Sequence, residues 1–187
     1  AISREMSIAA GTLYMILKRL KEAGYVETYL QESASGPARK YYHLTEAGTA
    51  YQQEKKQEWL DCAIQGSEFL KKYGHDGNYH WYFSLDRQGN PLVEPYNIFS
   101  YTFATMAFGQ LSLATGKQEY ADIAKKTFDI ILSKVNNPKG KWNKLHPGTR
   151  NLKGFALPMI LCNLALEIEH LLDEKILLDT IDTCIHD

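Results

Sequence analysis

No run in the 187 residues approaches the roughly 18 consecutive apolar side chains that a membrane-spanning helix requires, and mean hydropathy is −0.36. The opening stretch, AISREMSIAA, holds no apolar run of the kind a secretory signal carries. Cysteine is scarce: Cys62, Cys162 and Cys184 are odd in number and widely spaced. That excludes a disulfide framework and a CxxC metal site, so no metal and no cofactor is expected, and a reducing cytoplasm is the matching compartment. An excess of either charge is also missing. The 21 basic and 22 acidic side chains leave a net charge of −1, which excludes a globally basic nucleic-acid coat protein but not a local basic patch. Low-complexity segments and short internal repeats are absent. What remains is ordinary for a folded chain, with 44% apolar and 23% charged residues.

The grammar of the chain changes near residues 57–60. Before that point, Leu13, Ile16, Leu17 and Leu20 recur at three- and four-residue spacing while Lys18, Arg19, Lys21 and Glu22 take the other face. This predicts an amphipathic helix over 11–23, closed by Gly24. Residues 25–30 and 39–44 alternate like strands about a Ser33–Pro37 tip, predicting a hairpin. Thr45 is placed to cap a polar helix running to Trp59. A helix beside a two-stranded wing can read DNA, the helix in the major groove and wing cations on phosphates. The candidates are Thr12, Tyr14, Lys18 and Arg19 on the helix and Arg39 and Lys40 on the second strand. The alternative is a solvated charged surface. Residues 1–45 carry six basic side chains (Arg4, Lys18, Arg19, Lys21, Arg39, Lys40) against four acidic ones (Glu5, Glu22, Glu27, Glu32), too small a surplus to decide.

The runs Gly11-Thr-Leu-Tyr14, Leu17-Lys-Arg-Leu20, Gly24-Tyr-Val26 and Gly36-Pro-Ala-Arg-Lys-Tyr-Tyr-His-Leu-Thr-Glu-Ala-Gly48 resemble the PadR family of winged-helix transcription regulators. The resemblance implies that Thr12 and Tyr14 begin a recognition helix and that Arg39 and Lys40 belong to the wing. Met15 departs from the family's usual Pro and Lys21 from a frequent Glu. It also implies that the family's first helix and most of its second would precede Ile2, which would leave Leu13, Leu17 and Leu20 short of part of their core.

From residue 58 the pattern is of long helices joined by elaborate loops, expected at 58–73, 97–115, 118–135, 155–172 and 174–186, with a small hairpin at 81–85 and 91–93. The 97–115 segment is apolar or small almost throughout, which predicts burial on every side. The 118–135 segment is amphipathic, with Lys125, Lys126 and Asp129 outward. Met159 and Asn163 fall on one face of the 155–172 helix, where an Asn needs a core partner or a ligand. Residues 136–154 hold Lys139, Lys141, Lys144, Arg150 and Lys153 without one acid. Such helices suggest an α/α barrel or an αα array.

Trp81-Tyr-Phe-Ser-Leu-Asp-Arg-Gln-Gly-Asn-Pro-Leu-Val93, Pro95-Tyr-Asn-Ile-Phe-Ser100, Asn137-Pro-Lys-Gly-Lys-Trp-Asn-Lys144, Pro147-Gly-Thr-Arg150 and Leu157-Pro-Met-Ile160 resemble the N-acylglucosamine 2-epimerase family (renin-binding proteins). The resemblance implies an (α/α)6 barrel whose loops form a sugar pocket. It implies proton transfer at C2 of an opened 2-acetamido sugar by two histidines acting as general base and acid. Tyr96, Asn143, Arg150, Met159 and Asn163 are the candidate sugar contacts, and Arg150 with the lysines of its loop can grip hydroxyls or a phosphate. Tyr101 stands where the family leads one to expect a smaller or acidic residue. On the resemblance, the catalytic histidines lie past Asp187 and an essential arginine lies upstream. No catalytic residue is therefore assigned; His75, His80, His146, His170 and His186 take surface or capping roles, and the chain alone is expected to be inactive.

The combined expectation is a mainly α protein. Residues 1–57 form a partial winged helix-turn-helix with a β-hairpin wing, and residues 58–187 form a partial (α/α)6 barrel with a small hairpin insertion. Three readings compete. The chain is a sugar 2-epimerase relative with an amino-sugar ligand, a sugar-sensing regulator that binds duplex DNA, or a fragment of a mis-joined gene whose wet Phe99, Phe103 and Leu157 drive self-association, for instance as a homodimer.

Overall fold

A computed structural model describes residues 9–33, 36–140, 146 and 154–186. They are mainly helical, and they divide into two compact units, residues 1–61 and 62–187.

The first unit begins with α1 (Ala10–Glu22). Gly24 adopts φ 76°, its N–H reaching Lys21 O at 3.0 Å and that of Tyr25 reaching Leu20 O at 2.9 Å. This is the glycine-dependent stop expected from the sequence. Strands β1 (Val26–Ser33) and β2 (Gly36–Leu44) pair antiparallel, with Tyr29 opposite Tyr41 and Gln31 opposite Arg39. The strands extend three residues beyond the expected ends on the tip side, so the hairpin is longer than the polar tip suggested. Thr45 caps the next helix as expected: its Oγ1 accepts from Gly48 N at 3.0 Å and donates to Gly24 O at 2.7 Å. Tyr25 and Tyr51 stack with centroids 4.2 Å apart. Leu13, Leu17 and Leu20 are half-buried, and Val26 and Gly48 are the buried residues among those described in this unit.

Helix α2 (Glu46–Tyr73) runs unbroken through residues 52–60, where the change of sequence character falls, because no Gly or Pro interrupts residues 49–65. In the second unit, β3 (Ser84–Leu85) and β4 (Pro91–Val93) form the small hairpin. Its turn is held by Asp86, whose Oδ1 accepts from Gln88 N (2.9 Å) and Asn90 N (2.8 Å). Helices α3 (Ile98–Thr115) and α4 (Gln118–Lys134) pack against each other across Gly116, which takes φ 69°. Phe108, Tyr120, Phe128 and Ile131 are fully buried in their shared core, while Lys125, Lys126 and Asp129 face out as expected.

Two expectations are corrected here. Helix α3 is not buried all round: Phe103 is 60% exposed and Ala107, Gln110 and Ala114 continue the open stripe. Its apolar composition carried no amphipathic signal from which that stripe could be read. Helix α5 (Ala156–Glu167) ends five residues short of residue 172. Ile168 leaves helical geometry (φ −113°, ψ 18°) and a short 3-10 turn, Glu169–Leu171, follows. The cause is packing, since buried Ile168 lies against Gly109, where an added Cβ would come within 2.6 Å of Ile168 Cγ2. Helix α6 (Glu174–His186) completes the described chain.

Candidate functional site

The second unit holds a concavity of about 620 Å3 between the end of α2, the β3–β4 hairpin and the open face of α3. Trp81, Phe83, Phe99 and Phe103 supply its aromatic walls, and Ser84, Asn97 and Ser100 supply its polar groups. Local chemistry fixes each wall. Trp81 is 3% exposed and its Nε1 donates to Thr127 Oγ1 at 3.1 Å. Gly74 lets it approach, because a Cβ there would lie 3.0 Å from the indole. Tyr82 N donates to Gly74 O (2.9 Å) and Phe83 N to Val93 O (3.2 Å), which hold the segment leading into β3, on which Phe83 is 55% exposed. Asn97 caps α3 by accepting Phe99 N at its Oδ1 (3.3 Å), which leaves its amide NH2 for a ligand. No carboxylate, histidine or lysine lines this concavity among the described residues. It is thus a surface of aromatic faces with a few oriented polar groups, the composition of a small-molecule site.

A second, smaller concavity of about 250 Å3 adjoins it, and Asn97 lines both. Tyr96, Tyr101, Lys134, Asn137 and Lys139 surround it. Tyr96 also packs against Phe83, with ring centroids 5.0 Å apart. Tyr101 is 2% exposed; Lys134 Nζ donates to its hydroxyl at 3.4 Å and lies 4.9 Å from its ring centroid. Burial, with the Asp76 charge adding to it, pushes the Tyr101 hydroxyl up to about 12, so it stays protonated in neutral solution. Asp76 itself is pulled down from its ordinary value. Burial acts upward, but hydrogen bonds from the His80 ring and from the backbone N–H groups of Asn78 and His80 outweigh it. The Asp76 Oδ2–His80 Nδ1 distance is 2.8 Å.

Among the described residues, Tyr96 is the one sequence-assigned sugar contact that lines a concavity. Met159, 54% exposed, and exposed Asn163 share the outer face of α5 and line neither concavity. The core partner expected for Asn163 is unnecessary because its amide meets solvent. Asn143 and Arg150 lie outside the described residues. Trp81, Phe83 and Phe99 belong to the sequence runs that carried the family resemblance and Phe103 does not, but the role of all four as walls needed the fold. Among the described histidines, His80 pairs with Asp76, His186 with Asp182 (3.9 Å), and His170 Nε2 sits 3.2 Å from Gly109 O. Burial pushes the His75 imidazole down, and its Nδ1 accepts from Gly77 N at 3.0 Å. No group of three or more potential metal ligands converges among the described residues.

On the first unit, Thr12, Tyr14, Lys18, Arg39 and Lys40 are all exposed. Tyr14 and Lys18 share a helix face, but Thr12 lies roughly 160° round the helix from Tyr14. Lys18 also lies 3.8 Å from Glu22. Arg39 and Lys40 are neighbours on β2 and therefore point to opposite faces of the hairpin. Lys40 extends over the Tyr42 ring at 5.7 Å. The five do not form a single surface.

The chain is 32% identical over 121 residues to N-acylglucosamine 2-epimerase from Bos taurus, and 33% identical over 112 residues to the Homo sapiens protein of that name. These alignments cover 63% and 58% of this chain but 29% and 26% of the relatives, so the chain spans less than a third of their length. It is also 34% identical over 72 residues to an uncharacterized protein from Lysinibacillus sphaericus, an alignment covering 35% of this chain and 66% of that one. No described helix is long and apolar enough to cross a membrane. The sequence profile of the N-acylglucosamine 2-epimerase family matches residues 17–186, which takes in both concavities, and the chain belongs to that family.

Proposed function

We propose that the second unit binds an N-acylamino sugar in the 620 Å3 concavity, as the sugar-holding part of a 2-epimerase-type domain. The observation that carries this reading is the wall of Trp81, Phe83, Phe99 and Phe103 facing the oriented amide of Asn97. Aromatic faces take the C–H side of a pyranose or the acyl methyl, and the amide and hydroxyls take the ring oxygens. In this reading the described residues bind and orient the sugar and exclude water from one side of it. They do not move the C2 proton, because no carboxylate, histidine or lysine among them lines the cavity. Calorimetric titration with N-acetylmannosamine and N-acetylglucosamine tests the proposal. Saturable binding is expected, weakened about tenfold by Phe103→Ala, equivalent to about 1.4 kcal/mol. An unchanged affinity in that variant contradicts it.

The helix–hairpin–helix order of the first unit, with Arg39 and Lys40 exposed on the second strand, supports a second reading, a PadR-like DNA contact by residues 1–57. Because the two cations diverge, only one of them can face a given phosphate surface. The expected result is duplex binding whose log affinity falls with log salt by about 0.9 for each phosphate contacted, with one of Arg39→Ala and Lys40→Ala reducing the slope by about that amount and the other leaving it unchanged. Absence of binding at low salt removes this reading.

A further inference from the structure

We propose that the loop joining α2 to β3, residues 74–81, is a pH-operated latch in which the neutral imidazole of His75 supports Trp81, a wall of the 620 Å3 concavity, and that acid releases it. The latch stands on its own geometry; only its consequence for ligand affinity rests on the sugar reading.

Few backbone bonds close this loop. His75 and Trp81 face each other as an isolated antiparallel bridge, Tyr82 N donates to Gly74 O at 2.9 Å, and Asp76 N reaches His80 O at 3.4 Å. Tyr79 sits at φ 61°, a left-handed conformation that a side chain disfavours, so contacts must hold it there. The half-buried His75 ring supplies them. It stacks on Tyr79 with centroids 4.8 Å apart and planes 22° apart, and it meets Trp81 edge-on at 4.9 Å and 65°. Its Nδ1 accepts from Gly77 N at 3.0 Å, which requires that nitrogen to carry no proton. An imidazolium has a donor on both nitrogens, so protonation turns this bond into a donor–donor contact.

The charged groups around the ring leave the neutral form favoured. On the loop, Asp76 is engaged by His80 Nδ1 at 2.8 Å and by the N–H groups of Asn78 and His80. From α2, Lys71 Nζ pairs with Glu68 at 3.0 Å and Glu119 at 2.6 Å, and Lys72 Nζ lies 4.8 Å from the Tyr73 ring centroid. From α4, Lys126 Nζ lies 5.4 Å from the centroid of Tyr79, the ring on which His75 stacks. Burial pushes the imidazole down, and it outweighs the Asp76 charge and the hydrogen bond to the Lys71 backbone, which act upward. An open loop titrates near the ordinary value of about 6.5, and the closed one below it, so the open form binds more protons in between. The latch is therefore fully closed above about pH 6.5, loosens as pH falls toward the His75 value, and gains no further sensitivity below that. Gly74, Trp81 and Tyr82 all line the concavity, so loosening the loop weakens what the concavity holds.

The test is a pH titration of the full chain followed by 1H–15N NMR at the His75 ring, the Gly77 amide and the Trp81 indole. An unprotonated Nδ1 is expected in neutral solution, with a His75 midpoint below about 6.5. The Gly77 and Trp81 signals are expected to move with that midpoint while α5 and α6 amides stay. His75→Asn keeps an acceptor near the place of Nδ1 and cannot titrate, so there the two signals are expected to stay flat. A midpoint at or above about 6.5, Gly77 and Trp81 signals indifferent to it, or the same transition in His75→Asn overturns the latch. If that variant fails to fold, the shared midpoint in the native chain carries the test. Affinity for N-acetylmannosamine is expected to fall about threefold or more from about pH 7.5 to about pH 5. Equal affinity with the NMR transition present overturns the link to the concavity. No sugar binding at either pH removes the sugar reading instead, and the NMR titration alone then decides the latch.

Discussion

Phe108→Ala is expected to destabilise the second unit by roughly 3–5 kcal/mol, lowering its Tm by on the order of 10 °C. Phe108 is 1% exposed and stands between Trp81, at a centroid distance of 5.5 Å, and Tyr120, at 6.0 Å. Removing the ring leaves a void that none of its neighbours can fill without losing its own partners. Trp81 is held by Thr127, and Tyr120 donates to Glu68 Oε1 at 3.0 Å. The same substitution at Phe103, five residues earlier on the same helix but 60% exposed, is expected to change stability by only about 0.5 kcal/mol. Thermal unfolding of both variants checks the contrast. Similar losses at the two positions would mean that the open stripe of α3 is covered.

Gly48→Ala is expected to unfold the first unit locally while sparing the second. A Cβ on Gly48 would overlap the carbonyl oxygen of Tyr25, which is backbone and cannot swing aside as a side chain would. That carbonyl accepts from Thr45 N at 3.1 Å, so it is fixed by the junction that also caps α2. The overlap costs about 3 kcal/mol or more, against a unit whose described residues include only Val26 and Gly48 as buried positions. Hydrogen exchange gives the readout: β1 and β2 amides lose protection, and those of α3 and α4 keep it. Retained hairpin protection would show that the junction can yield.

Where periodicity and capping residues acted together, the helices could be read directly. The Leu13–Leu20 stripe with Gly24, and the amphipathic 118–134 segment after Gly116, are examples. The end of α5 could not be read, because the break at Ile168 is decided by how closely that side chain approaches Gly109, 59 residues earlier. The long α2 follows from the lack of any breaker near residue 58, yet a change in sequence character there resembled a boundary. For the site, Tyr96 was legible as part of a run. Lys134 was not, since a lysine in a last helical turn is what the helix dipole favours in any case. Tyr101 departs from the family pattern in the sequence, but its burial beside Lys134 is visible only in the fold. The α3 half of the aromatic wall, Phe99 and Phe103, was hidden for the reason that hid the open face of that helix: a helix apolar all round does not say which of its rings stay uncovered.

The central claim, an N-acylamino sugar held by the aromatic concavity, is tested most directly by amide chemical-shift mapping during titration with N-acetylmannosamine. The account predicts saturable shifts concentrated at residues 81–85 and 97–107, with α6 unmoved. Shifts centred on α6 or on the first unit, or none at saturating sugar, would contradict it.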